Sequence, residues 1–123
     1  MKYLSSRVAL LPITILLLSL LIYPSSTLAL EAWSGKVVAV RDGDSIEVMK
    51  KGKAVRIRLA EIDAPEKGQP YANKARQYTS DLCFGKTVKV LPQDIDRYGR
   101  TVAKVILPDG RSLNQELIKA GMA

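Results

Sequence analysis

Residues 55–66, VRIRLAEIDAPE, combine arginines and carboxylates in a pattern that suits phosphate chemistry. Apolar and polar residues alternate over the first six positions, which predicts a strand that presents two arginines on one face. Asp63 and Glu66 follow on either side of Pro65, which cannot donate a sheet hydrogen bond and so marks the strand exit. Guanidinium groups bind phosphate oxygens and clustered carboxylates bind hard cations, so the stretch suggests metal-assisted chemistry on a phosphate ester.

A purely structural interpretation of the same residues stays open at this point. Arg58 is also what an exposed strand position commonly carries, and Asp63 is a common turn former. The stretch by itself does not separate the two interpretations.

A second carboxylate group, Asp-Gly-Asp-Ser at 42–45, predicts a hairpin turn. The start of an EF-hand calcium loop is excluded, because Ile46 and Glu47 occupy positions that need an oxygen ligand and a glycine. Asp44 enters the neighbouring strand, where it, Asp63 and a nearby carbonyl could form an open calcium half-site completed by water. A structural Asp-Gly turn is the alternative.

The sequence contains no histidine, which removes several classes of enzyme. Ser-His-Asp and Cys-His catalysis and the zinc peptidase helix motif all require that residue. A carboxylate is then the natural general base, and Glu66 would lie close to a metal-bound water without ligating the metal.

The third group of candidate residues is the pentapeptide DRYGR at 96–100. Arg58 and Arg100 come from different elements and could together bind the negative charge of a phosphoryl group. Tyr98 offers a face on which a base can stack, and Gly99 permits a sharp turn. As an isolated peptide it is equally an arginine-rich loop.

Five strands and two helices must position these groups. Alternation and turn residues predict strands at 33–40, 45–49, 54–62, 86–91 and 101–107, with a polar loop at 92–100. A helix is predicted between the third and fourth strands, with Pro70 at its first position, and a second helix at 112–120 after the fifth strand. This mainly β (α+β) order is that of a five-stranded OB-fold barrel, a common platform for oligonucleotides.

The apolar face of the first helix contains Tyr71, Ala75, Tyr78 and Cys83 at helical spacing, which predicts that the tyrosines and the cysteine are core. Cys83 is the only cysteine, so the chain can form no internal disulfide. In the second predicted strand, at 45–49, the alternation places Ile46 and Val48 in the core and predicts that Ser45 faces outward.

Residues 1–29 have the basic start, apolar run and small residues of a secretory signal peptide, with a retained membrane anchor as the alternative. Residues 30–123 then form the single domain, and either alternative places it outside the cytoplasm. That domain has 17 basic and 12 acidic residues, a net charge of +5, which suits a polyanion such as nucleic acid.

From Trp33 to its end, the chain resembles the staphylococcal (micrococcal) nuclease, or thermonuclease-like, family. The resemblance is carried by four segments and their spacing: Asp42 to Ser45, Arg58 to Glu66, Asp96 to Arg100 and Leu113 to Ala123. It implies a calcium-dependent endonuclease that cleaves DNA and RNA, leaves 3′-phosphates and prefers single-stranded regions. No protein partner is evident, and a membrane is a partner only if residues 1–29 are retained.

The resemblance also implies a role for each matching position. Calcium would be bound by the ligands Asp44, Asp63 and the carbonyl of Ala64. Catalysis would depend on Glu66, which acts on the water, and on the phosphate-binding pair Arg58 and Arg100. The nucleotide would contact Arg97 and Tyr98.

The match departs from the family pattern in two respects. Ser45 replaces the usual threonine, which should matter little. Family members continue beyond the position of Ala123 with a last helix, so we expect the fold without that helix. A noncatalytic OB-fold module that binds nucleic acid, or an inactive truncated member, is therefore the alternative function.

Overall fold

The computed structural model describes residues 30–123, and the predicted signal or anchor segment at 1–29 lies outside them. The elements are β1 (Trp33–Asp42), β2 (Ser45–Lys50), β3 (Lys53–Leu59), α1 (Ala72–Cys83), β4 (Thr87–Ile95), β5 (Thr101–Ile106) and α2 (Leu113–Lys119). The strands close into a barrel in the order β1-β2-β3-β5-β4, which confirms the predicted five-stranded barrel and the places of both helices. In this described part, neither helix is long and apolar enough to cross a membrane.

The order of the strands brings distant parts of the sequence together at one end of the barrel. All neighbouring strands are antiparallel except β3 and β5, whose parallel register pairs Arg58 with Val102. The β2–β3 register pairs the same Arg58 with Ser45. The end of β3 therefore lies between the start of β2 and the start of β5, where the three candidate segments are found.

The barrel interior is filled by aliphatic side chains from all five strands and from α2. Those that are at most 1% exposed include Val37, Ile46, Val48, Ile57, Leu59, Val88, Val90, Val105, Leu113 and Leu117. Burying one such side chain contributes roughly 1.5–3 kcal/mol, so this interior is the main source of stability.

Cys83 is fully buried at the end of α1, as predicted. Burial disfavours the thiolate and raises the pKa of Cys83 to about 12, although the nearby Lys86 acts in the opposite direction. The thiol is protonated at neutral pH and serves as a small core residue.

The start of α1 differs from the prediction. Tyr71 is 72% exposed rather than core, because its backbone adopts the left-handed conformation (φ 63°) and the helix begins only at Ala72. Pro70 consequently precedes the helix by two residues. Tyr78 does pack against the core.

Two strand boundaries and one orientation also differ. β4 continues to Ile95 through Pro92, because the register shift between Pro92 and Asp94 is a bulge that tolerates a proline. β3 ends at Leu59 rather than Ile62. Ser45 is 5% exposed rather than outward-facing, because it pairs with both β1 and β3 where the three strands meet.

The buried amide of Asn114 fastens α2 to the barrel. Its Nδ2 donates to the carbonyls of Ala60 (3.0 Å) and Ala103 (3.3 Å), and its Oδ1 accepts the N–H of Val105 (3.1 Å). The side chain thus satisfies three backbone groups on β5 and just beyond β3.

Replacing Asn114 by alanine should lower the free energy of unfolding by on the order of 3 kcal/mol, because three buried backbone groups lose their partner. Urea denaturation followed by circular dichroism measures this loss. Asn73→Ala, an exposed position on α1, is the matched control and should change the value by less than about 0.5 kcal/mol. Equal stability of the Asn114→Ala and Asn73→Ala proteins would contradict the assigned role.

Candidate active site

The guanidinium of Arg58, at the end of β3, joins two carboxylates from different parts of the chain. Its Nη1 lies 3.0 Å from Asp44 Oδ2, and its Nη2 donates to Asp63 Oδ1 at 2.5 Å. Nη1 also donates to the carbonyls of Leu59 (2.9 Å) and Ile62 (2.7 Å). Arg58 therefore fixes the course of the chain after β3 and holds both predicted metal ligands near one point.

Two backbone N–H groups also hold Asp44 in place. Its carbonyl accepts the N–H of Leu59 (2.8 Å), and its Oδ2 accepts the N–H of Ala64 (3.1 Å). The carboxylate is only 11% exposed, whereas that of Asp63 is 95% exposed. One predicted ligand is thus built into the barrel, and the other projects into solvent.

The β1–β2 turn is pressed against α1 at Gly43. A Cβ at this position would lie 2.9 Å from the Cβ atoms of both Ala64 and Ala75, so only glycine fits. The carbonyl of Gly43 also accepts the buried hydroxyl of Thr79 on α1 at 2.6 Å. Glycine is required here because the turn lies so close to Ala64 and Ala75, and not because of an unusual φ. The absence of a side chain at Gly43 lets the Asp63–Ala64 segment stay close to the helix.

The 96–100 loop is organised around the carboxylate of Asp96. Its Oδ1 accepts the N–H groups of Tyr98 and Arg100, and its Oδ2 accepts Arg100 Nε, each at 2.9 Å. Partial burial raises the pKa of Asp96, but the hydrogen bonds from Arg100 and Tyr98 outweigh it and hold that pKa below its ordinary value of 3.8. Asp96 thereby fixes the direction of the Arg100 side chain.

Three of the sequence-predicted residues meet in one open cleft of about 380 Å³. Arg58, Asp63 and Arg100 line it together with Asp96, so both predicted phosphate-binding arginines face the same space. Tyr98, 62% exposed, lies with its ring 5.6 Å from the Arg100 guanidinium and 5.0 Å from that of Arg97. The cleft offers two cations, and an aromatic face lies beside one of them, an arrangement that suits a phosphodiester with its base.

The predicted base, Glu66, forms no hydrogen bond or ion pair with the other predicted site residues. It is exposed on the loop before α1, and its contacts within residues 30–123 are through the backbone, to Gln69. Its carboxylate forms no ion pair with a described residue and does not line the cleft. Its role as base stays a prediction.

The donors around Asp44 fit a calcium ion in kind, since the two carboxylates and the Ala64 carbonyl supply only oxygen. In this structure the guanidinium of Arg58 lies against both carboxylates, with one nitrogen on each. Among residues 30–123, no three acidic or cysteine side chains are grouped to hold a metal ion. Water would therefore complete the six to eight oxygens that calcium takes.

Sequence reasoning overlooked the positioning residues of the site. Asp96 carries no sequence signal beyond its place before an arginine-rich turn, because it acts on backbone N–H groups that only the folded loop brings together. The sequence indicates only a turn at Gly43, and its contact with Thr79 spans 36 positions, which no local pattern reveals.

Comparison with known proteins identifies relatives over most of the chain. Residues 56–123 match the family model described as staphylococcal nuclease homologue. An uncharacterized endonuclease of Escherichia coli O157:H7 is 52% identical over 89 residues, which cover 72% of this chain and 58% of that protein.

Two further relatives carry nuclease names. A micrococcal nuclease of Shigella flexneri is 41% identical over 103 residues, 75% of this chain and 59% of that protein. A thermonuclease of Staphylococcus hyicus is 38% identical over 97 residues, 72% of this chain and 56% of that protein. The chain thus spans less than two thirds of the length of these relatives.

Gly43→Ala should lower the free energy of unfolding by about 1–3 kcal/mol, because the new methyl group overlaps Ala64 and Ala75. Urea denaturation measures the loss. In an Ala75→Gly background one of the two contacts is gone, so the same substitution should cost less. An equal cost in both backgrounds would show that Ala75 does not limit the space at Gly43.

Asp96→Asn should lower the free energy of unfolding at neutral pH, by an amount that disappears in acid. Because the folded pKa of Asp96 is lowered, its stabilisation is present above the unfolded value of about 3.8 and is lost as pH falls through the folded pKa. The difference in unfolding free energy between wild type and variant should therefore be constant near neutral pH and shrink below about pH 4.

Urea denaturation at a series of pH values from about 7 to about 2.5 measures the unfolding free energy of both proteins. This range brackets the ordinary carboxyl pKa. Asp81→Asn is the control, since Asp81 accepts a hydrogen bond only from Gln77 on the exposed face of α1. A wild-type-to-Asp96→Asn difference that is independent of pH would contradict the hydrogen-bond origin of the shift.

Proposed function

Because the chain belongs to the family of staphylococcal nuclease homologues, we propose that it is a calcium-dependent endonuclease that hydrolyses DNA and RNA. The observation that carries this proposal is the joint placement of Arg58, Arg100 and Asp63 in one cleft, with Asp44 held by the same Arg58.

Asp44, Asp63 and the Ala64 carbonyl are the residues that would hold calcium. A bound calcium ion would supply positive charge next to the phosphate and acidify a water molecule beside it. The buried Asp44 fixes the inner side of this position, and the exposed Asp63 leaves its outer side open to substrate.

Arg58 and Arg100 are proposed to bind the non-bridging oxygens of the scissile phosphate. Negative charge on these oxygens grows in a pentacoordinate transition state, and donors that are fixed beforehand stabilise it without reorganisation. Arg100 is held by Asp96 and Arg58 by the carbonyls of Leu59 and Ile62, so both guanidiniums are positioned before substrate arrives.

Glu66 is proposed to accept the proton of the attacking water. Its exposed carboxylate is three residues beyond Asp63 on the loop that borders the site. Attack on phosphorus with departure of the 5′ oxygen would leave a 3′-phosphate. The family resemblance supports this assignment. So does the position of Glu66, on the loop that directly follows Asp63 and Ala64.

Arg97 and Tyr98 are proposed to contact the nucleotide next to the scissile phosphate. The ring of Tyr98 can stack only on a base whose face is free, which favours single-stranded or transiently open substrate. The net charge of +5 on residues 30–123 strengthens binding to either nucleic acid.

Export from the cytoplasm is proposed from residues 1–29 alone. Their basic start and apolar run are typical of a signal peptide, which would release the domain into the periplasm or medium. Retention of the same segment as an anchor would leave the domain outside the cytoplasm at a membrane surface.

Arg58→Ala should slow hydrolysis of single-stranded DNA in calcium by about 100- to 1,000-fold, since it removes a donor to the transition state. Arg58→Lys, which keeps the charge but not the planar fork, should lose at least about tenfold and is less disruptive to the Asp44 and Asp63 contacts. Single-turnover rates measured by gel electrophoresis test both.

Arg56→Ala is the matched control, because Arg56 is exposed on the same strand and does not line the cleft. Its rate should stay close to wild type. Equal rates for the Arg56 and Arg58 variants would contradict the proposed role of Arg58. DNA binding without any cleavage in calcium would favour a noncatalytic binding module instead.

A further inference from the structure

A second cavity, of about 720 Å³, lies next to the cleft that contains the arginines. Asp63 lines both spaces, so they adjoin at a predicted metal ligand. Its other lining groups include Ala64, Tyr71, Lys74 and Met122. Its volume is in the range of ligand-binding pockets.

Tyr71 is held at this cavity in a conformation that its own packing does not explain. It is the most exposed of the large apolar side chains, at 72%, yet its backbone has a φ of 63°, which is unfavourable for a bulky residue. Glycine would adopt that φ without strain. An exposed aromatic ring on a strained backbone, at a cavity that adjoins the cleft with the arginines, is a feature that a stacking contact would explain.

Lys74 adds a positive charge to the same cavity, as a nucleic-acid phosphate would require. It is exposed one helical turn beyond Tyr71, and it forms no salt bridge with any residue in the range 30–123. Aromatic faces that alternate with cations are the usual surface for single-stranded nucleic acid, since the ring stacks on a base and the cation binds the backbone.

We propose that Tyr71 and Lys74 form a second nucleotide subsite, in which the ring of Tyr71 stacks on a base and Lys74 binds an adjacent phosphate. The inference rests on the proposed nuclease function. A strand whose scissile phosphate lies between Arg58 and Arg100 would place one base on Tyr98, and its continuation past Asp63 would bring another nucleotide onto Tyr71. The substrate would therefore be gripped on both sides of the bond that is cleaved.

Affinity for a fluorescein-labelled thymidine oligonucleotide of about eight nucleotides tests the subsite directly, by anisotropy in chelator so that no cleavage intervenes. Tyr71→Ala should weaken binding by about 5- to 100-fold, and Tyr71→Phe, which keeps the ring, should bind within about twofold of wild type. Phe84→Ala is the matched control, because Phe84 is an exposed aromatic at the other end of α1 that lines neither space.

Lys74→Ala should weaken binding and reduce the slope of log affinity against log salt by about 0.7, the value for one phosphate on a single strand. Lys89→Ala, exposed on β4, should leave the slope within experimental error.

Tyr71→Gly should bind as weakly as Tyr71→Ala while its Tm is not below that of wild type, because glycine relieves the backbone strain. A purely structural Tyr71 would instead give a lower Tm.

The binding measurement separates this inference from the nuclease proposal. Weaker binding by Tyr71→Ala but not Phe84→Ala supports the subsite even if the protein cleaves nothing. Binding that is equal for wild type, Tyr71→Ala and Phe84→Ala overturns the subsite, even if hydrolysis in calcium is rapid.

Discussion

The ionic contact of Arg58 with Asp44 and Asp63 is the interaction on which the arrangement of this site depends. The guanidinium is 20% exposed, so it needs partners, and it takes them from the start of β2, from the chain just after β3 and from the loop beyond. Breaking the set would leave a mostly buried charge without compensation. The same contact that stabilises the barrel end therefore concentrates the candidate ligands and one phosphate-binding cation.

Packing around this contact explains why the site can be rigid on a small domain. Gly43 lets the β1–β2 turn approach Ala64 and α1, and Thr79 fixes the turn from the helix side. Asn114 ties α2 to the carbonyl of Ala60, one residue after β3 ends. Each of these contacts joins residues far apart in sequence, so the position of the 58–64 segment depends on the whole fold.

Local pattern was enough to predict the strands, because alternation in residues 55–59 reflects a real two-sided surface and the Lys51-Gly52 turn has the positive φ values of a type I′ hairpin. The same reasoning failed at Tyr71, where helical spacing continued one residue beyond the helix itself. It also failed at Pro92, where a bulge allows the strand to continue. Both errors concern backbone geometry that side-chain periodicity does not encode.

In the candidate site, too, side-chain chemistry is predictable from the sequence and contacts to the backbone are not. Arg58, Asp63 and Arg100 are predicted as site residues because guanidiniums bind phosphate oxygens and carboxylates bind hard cations, and the family resemblance implies one site for all three. The structure places them in one cleft. Asp96 was not assigned a role, because its partners are backbone N–H groups. Glu66 was assigned one that the geometry of the described residues leaves as a prediction.

The most direct test of the central claim, that this cluster is a calcium-dependent nuclease site, is the initial rate of single-stranded DNA hydrolysis by the full chain as free calcium is varied. The account predicts no hydrolysis in chelator, a saturable rise with calcium, and a curve shifted to higher calcium or abolished in Asp44→Asn but unchanged in Asp81→Asn. Hydrolysis that persists in chelator, or that is the same in wild type and Asp44→Asn, would contradict it.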